Sequence, residues 1–256
     1  DYSYYFQNIP SFLKNFFKIL FLFISFYFLG CNNLDLESFS YSRIELTGSE
    51  NNVISDEINI YKDSIDYELD NVIGFSNQLY TKTDFDSINF NSTLGNLIAD
   101  IIFAQSDSMF KVQKNKNIDF VIQNHGGIRA ILPKGDVKLS DAYKILPFEN
   151  EIVIVEMDGE SINEIVSFLK KEEIPHPFSG LEINGNRVLV QNKPIVNSNK
   201  YYIATNDYLM TGGDNMFFFN KRTGLYRLGY SLRDAFIDYS KSNRYLSSKV
   251  DNRFIK

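Results

Sequence analysis

Three short apolar runs do most to limit the folds open to this chain: 118–122 (Ile-Asp-Phe-Val-Ile), 152–157 (Ile-Val-Ile-Val-Glu-Met) and 201–205 (Tyr-Tyr-Ile-Ala-Thr). Runs of that length, rich in β-branched and aromatic residues, read as buried strands. Segments of helical period lie between them. Leu94, Leu97, Ile98, Ile101 and Ile102 share a face after Ser92, and Gly159 opens a helix with Ile162, Ile165, Val166 and Leu169 on one side. A last helix is expected over 231–239, and Ser140 is a suitable N-cap for a short one at 141–145. Tyr61, Ile65, Leu69 and Val72 recur at helical spacing, with Gly74 as the stop. Residues 43–46 suit a short strand. Segments 181–183 and 187–190 flank Asn184-Gly185, a hairpin signal. Helices interleaved with strands and at least one hairpin make the expected class α+β, one domain over 41–256 with a mixed sheet and flanking helices.

At 256 residues and 44% apolar content the chain can bury a substantial core. A net charge of −6 argues against binding nucleic acid. The single cysteine, Cys31, excludes an internal disulfide. Lys14 and Lys18 precede an uncharged apolar run over 19–29 that ends in Gly30-Cys31. That is a signal-peptide pattern, too short for a comfortable transmembrane helix. Gly30-Cys31 resembles a lipoprotein box, so residues 1–30 are expected to be a leader. Cys31 is then the lipidated residue, 31–40 a polar tether, and the domain sits outside the cytoplasmic membrane, anchored to lipid in the periplasm or at the cell surface. An uncleaved N-terminal anchor is the alternative.

Two loops have the composition of a binding site. Asn124-His125-Gly126-Gly127-Ile128-Arg129 follows a buried strand. Its paired glycines suit close backbone approach, with N–H groups turned into an anion-binding concavity. Arg129 suits paired hydrogen bonds to phosphate. Tyr208 to Asp214 also follows a strand and also carries Gly-Gly, at 212–213. Pro147-Phe148-Glu149-Asn150 lies between them. A phenylalanine there is ordinarily core, but it can also be a stacking surface for a base. Taken singly, each loop is as well explained by an ordinary turn.

Taken in order, Thr93-Leu94-Gly95-Asn96-Leu97, Asn124 to Arg129, Leu146-Pro147-Phe148-Glu149-Asn150 and Ala204 to Asp214 resemble the C-terminal domain of the 5'-nucleotidase / UDP-sugar hydrolase family. The resemblance implies a nucleoside or nucleoside monophosphate ligand. It makes Phe148 and Tyr208 the rings that sandwich the base and gives the ribose to Asp214. Asn124 becomes a base-side contact and Arg129 a phosphate ligand. Gly126, Gly127 and Gly213 belong to the same loops, and Asn150 and the Ser179-Gly180 turn line the base pocket. One departure stands out: Ile88 occupies the place of a second phosphate-binding arginine, and Asn91 that of a Glu or Gln.

Hydrolysis in that family uses two metal ions on a separate domain. This chain has two histidines, His125 and His176, and no Asp-x-His or Gly-Asn-His motif. His125 is expected to hydrogen-bond or do nothing, and His176, between two prolines, to lie at the surface. No metal ligand and no cofactor is therefore assigned within the chain. The divalent pair is expected on a partner, a separate metallophosphatase-domain protein. Four readings follow: the recognition subunit of a 5'-nucleotidase-type phosphomonoester hydrolase, an anchored nucleoside-binding lipoprotein without catalysis, a protein that keeps only the fold, or a self-sufficient phosphatase, which the lack of metal ligands disfavours.

Overall fold

The computed structural model describes residues 10–28 and 52–256. Cys31, the tether and the strand expected at 43–46 lie outside the described residues. The chain divides into two units, 1–51 and 52–256. In the first, helix α1 (Ser11–Phe28) covers most of the leader-like run. Among the described residues no helix is long and apolar enough to cross a membrane.

The second unit opens with α2 (Asn52–Leu69) and β1 (Val72–Ser76). The helix therefore ends at Leu69, and Val72 and Gly74 belong to a strand. Strand pairing overrides the helical spacing, because β1 bonds to a strand on each side. Tyr61 and Ile65, which recur at helical spacing, are exposed. Helix α3 (Thr93–Lys114) starts where Ser92 accepts a hydrogen bond from the Gly95 amide at 3.2 Å. Strand β2 (Phe120–Ile122) follows, then a 3₁₀ turn at His125–Gly127, β3 (Gly135–Lys138) and α4 (Leu139–Ile145). The cap of α4 is not Ser140. Asp141 accepts from the Lys138 amide at 2.8 Å, which starts the helix two residues earlier than expected.

Strand β4 (Glu151–Asp158) leads into α5 (Gly159–Lys171), capped by the Asp158 carboxylate. Strands β5 (Phe178–Ser179), β6 (Leu181–Asn184), β7 (Arg187–Val190) and β8 (Lys193–Pro194) come next. Asn184 pairs with Arg187, so the two-residue hairpin turn is Gly185-Asn186. Strand β9 (Lys200–Asn206), a one-turn α6 (Asp207–Met210), β10 (Gly224–Ser231), α7 (Leu232–Ser242), β11 (Tyr245–Leu246) and β12 (Phe254–Ile255) complete the unit.

The central sheet has the order β10-β4-β9-β2-β5, and smaller sheets of three and four strands flank it. Alternation along β4 shows how it is covered. Ile152 and Ile154 join a core with Leu94, Leu97, Ile98, Ile101 and Ile102 of α3 and with Phe236 of α7. Val153, Val155 and Met157 join a second core with Ile162, Ile165, Val166 and Leu169 of α5. A strand packed on both faces is apolar at nearly every position, which is why these runs stand out in the sequence. Helices over both faces of a mixed sheet give the expected α+β class.

Strand direction places the loops. Strands β2 and β9 are parallel neighbours, with Val121 opposite Ala204. Strand β4 is antiparallel to β9, with Ile152 opposite Asn206. The ends of β2 and β9 and the start of β4 therefore lie on the same edge of the sheet.

Candidate functional site

The loops after β2, before β4 and after β9 meet around one cavity of about 330 Å³. Asn124, Gly126, Gly127, Arg129, Phe148, Asn150, Tyr208 and Asp214 line it. Phe148 and Tyr208 keep 48% and 45% of their surface exposed, so both rings offer area to a ligand. The volume falls near the small end of the range for small-molecule sites, about 300–1,000 Å³.

Asn206 and Gln123 couple the loops beneath the cavity. The Asn206 amide donates to Gln123 Oε1 at 2.8 Å, and Asn206 Oδ1 accepts from the Leu209 amide at 2.9 Å, capping α6. Asp207 accepts from the Glu151 amide at 3.2 Å, tying α6 to the strand that follows Asn150. Asp214 sits in the left-handed region, φ 49° and ψ 34°. Its Oδ2 accepts from Asn124 Nδ2 at 2.7 Å and its Oδ1 from the Tyr208 hydroxyl at 2.8 Å. An ionised carboxylate has about four acceptor positions, so room remains for two ligand hydroxyls.

Two glycines are required by contact. A Cβ on Gly213 would stand 2.5 Å from the Tyr208 ring, and one on Gly127 would stand 2.8 Å from Asn124 Oδ1. Gly213 therefore acts from beneath the ring rather than from the cavity wall. Gly180 is elsewhere. Strand β5 runs antiparallel to β2, with Ile122 opposite Phe178 and Val121 opposite Ser179. Each step past Ser179 thus moves away from Asn124. Gly180 borders a different cavity with Gln191, Asp251 and Arg253.

The backbone of the first loop also differs from expectation. The amides of His125, Gly127, Ile128 and Arg129 donate to His176 Nδ1, Asn124 O, His125 O and Ile145 O respectively. These N–H groups close the turn and do not point at a ligand. Charge near the cavity comes instead from side chains. Arg129 donates to Gly126 O at 3.2 Å, with its guanidinium 6.0 Å from the Phe148 ring centre. Lys82, which carries no sequence signal, donates to His125 O at 3.2 Å and to Ile128 O at 2.6 Å. Burial, and then the adjacent Arg129, hold the Lys82 ammonium below the usual lysine range. Ile88 is exposed and supplies no charge.

His176 is buried, not at the surface. Its ring packs on Phe168 and its Nδ1 accepts the His125 amide, so that nitrogen carries no proton. Burial lowers its pKa against the opposing pull of Glu172. Burial and the Lys82 charge lower the His125 imidazole to about 4. Arg233, another residue without a sequence signal, supports Phe148. Its buried guanidinium donates to Leu146 O and Pro147 O, both at 3.3 Å, pairs with Glu149, and lies 4.3 Å from the centre of the Tyr143 ring.

Among the described residues no group of three or more His, Cys, Asp or Glu side chains is placed to hold a metal ion. The donor set lining the cavity, with one carboxylate, Asp214, and one cation, Arg129, does not fit a divalent pair.

The model of the 5'-nucleotidase C-terminal domain matches residues 72–221, more than half of the chain. The chain belongs to that family. It is 24% identical over 245 residues to the trifunctional nucleotide phosphoesterase YfkN of Bacillus subtilis, covering 88% of this chain and 16% of that protein. It is 28% identical over 130 residues to the NAD 5'-nucleotidase of Haemophilus influenzae, 41% of this chain and 22% of the relative. In fold it is similar to the 5'-nucleotidase precursor of Thermus thermophilus, with a TM-score of 0.62 and 23% identity over 80% of this chain and 43% of that one. The chain thus spans less than half the length of these proteins.

Proposed function

We propose that this chain is the nucleotide-recognition part of a 5'-nucleotidase-type phosphomonoester hydrolase. A base enters between Phe148 and Tyr208, Asp214 accepts the ribose hydroxyls, and Asn124 and Asn150 face the base edge. Arg129 meets the phosphate. The single observation that carries this reading is the convergence of two exposed rings, a carboxylate and an arginine on one cavity. The divalent pair belongs to a partner metallophosphatase domain, which we place on a separate chain, because the ligands described here do not form a dimetal site. Export and lipidation at Cys31 would hold the assembly at a membrane surface outside the cytoplasm.

A second reading, an anchored nucleoside-binding lipoprotein without catalysis, is favoured by Ile88, which offers no phosphate contact. Calorimetry with adenosine and AMP, followed by an AMP hydrolysis assay with the metallophosphatase partner added, separates the two. Recognition predicts that both ligands bind and that the added partner gains activity. Binding without any gain supports the second reading. Failure to bind either ligand rejects both, and AMP hydrolysis by the chain alone with added Mn²⁺ would refute the placement of the metals.

A further inference from the structure

Two cations flank the 124–129 loop without a carboxylate between them. Lys82 and Arg129 form no ion pair with any described residue, although the chain is acidic overall. By contrast, Arg253 holds both Asp100 and Asp251, and Arg233 pairs with Glu149. Lys82 is anchored by two carbonyls of the loop that carries Arg129, and an ammonium has three donors. Its third donor has no protein acceptor among the described residues. Arg129 uses a single Nη1 donor, to Gly126 O, and the rest of its fork is unspent. The loop amides at 125, 127, 128 and 129 are already engaged, so the backbone offers an anion little.

We infer that Lys82 and Arg129 together form the subsite for the phosphate monoester of the ligand, with Lys82 as its second cation. This rests on the nucleotide-recognition reading above. Holding two like charges together raises the free energy of the empty site, and a phosphate near both removes that penalty. Burial first, and the Arg129 charge second, hold the Lys82 ammonium below its ordinary range, so the like charge supplies one part of that cost. Lys82 also fixes the loop: its bonds to His125 O and Ile128 O set where Arg129 leaves the backbone. His125 stays neutral beside it and adds no third charge.

The test is calorimetry of the purified chain with adenosine and AMP at two salt concentrations. Lys82→Met is expected to weaken AMP about tenfold, the scale of one charge-assisted hydrogen bond in a partly exposed site, and to leave adenosine unchanged. Lys82→Arg should retain most of the AMP affinity. In the unaltered chain the advantage of AMP over adenosine should shrink as salt rises. Equal loss for both ligands would show that Lys82 only supports the loop, and unchanged AMP binding would overturn the assignment outright. Arg129→Met guards against a Lys82 variant that does not fold. With Lys82 still present AMP must bind more tightly than adenosine, and equal binding sinks the proposal. Binding of neither ligand by the unaltered chain rejects the recognition reading and this subsite with it.

Discussion

Gly213→Ala is the sharpest perturbation of the stacking slot, because it leaves both rings in place chemically. The new Cβ would stand 2.5 Å from Cε1 and Cζ of Tyr208 and 2.7 Å from its Cδ1. Carbon atoms in contact prefer about 3.5–4.0 Å, so the ring must move by roughly 1 Å. Gly213 has no positive φ, so the backbone tolerates alanine and only the ring objects. Tyr208 is half exposed and can swing outward, which limits the stability cost to about 1 kcal/mol, the low end for overpacking. The displaced ring loses its 2.8 Å bond to Asp214 and its stacking position. Stacking on one aromatic ring is worth about 1–3 kcal/mol per base, so adenosine affinity should fall about 5-fold to 150-fold. The value should approach that of Tyr208→Ala. Calorimetry gives the affinity and a thermal melt the stability. Adenosine affinity equal to the unaltered chain's, with Tyr208→Ala strongly impaired, would refute the argument that Gly213 sets the ring.

Two further outcomes are expected. Arg233→Ala removes the donor to Leu146 O and Pro147 O, and should lower stability by about 2–4 kcal/mol, read as a reduced urea midpoint, with weaker adenosine binding as the Phe148 loop loosens. An unchanged midpoint would show that the loop does not depend on it. The folded-state pKa of His125 is lowered to about 4 from 6.5, so the unfolded chain binds more protons between those values and stability falls as pH drops through that window. His125 is only half buried, so solvent screening discounts its share to about 1 kcal/mol. His176, lowered for the same reason, adds a loss of the same sign. His125→Gln should therefore flatten the fall in urea midpoint between pH 6.5 and 4 without abolishing it, and an identical slope would contradict the shift.

What the sequence determined by itself was local or repeated. A continuous apolar run marks β4, because both its faces meet a core, and a period of 3.6 marks α3 and α5, because one face of each helix does. Ser92 and Ser231 announce the starts of α3 and α7, because a cap acts within three residues of itself. The loop motifs named eight of the cavity residues, because glycine, ring and charge types record what a binding loop must do. Tertiary structure alone decided which of them meet. The parallel pairing of β2 with β9 brings Asn124 to Asp214 across ninety residues, and the antiparallel pairing of β5 turns Gly180 away. It also took Val72 and Gly74 into a strand, buried His176 and left Tyr61 exposed, since burial depends on neighbours that no local pattern records. Lys82 and Arg233 had no pattern to betray them. Each acts by reaching carbonyls that are distant in sequence, and such a contact exists only once the chain has folded.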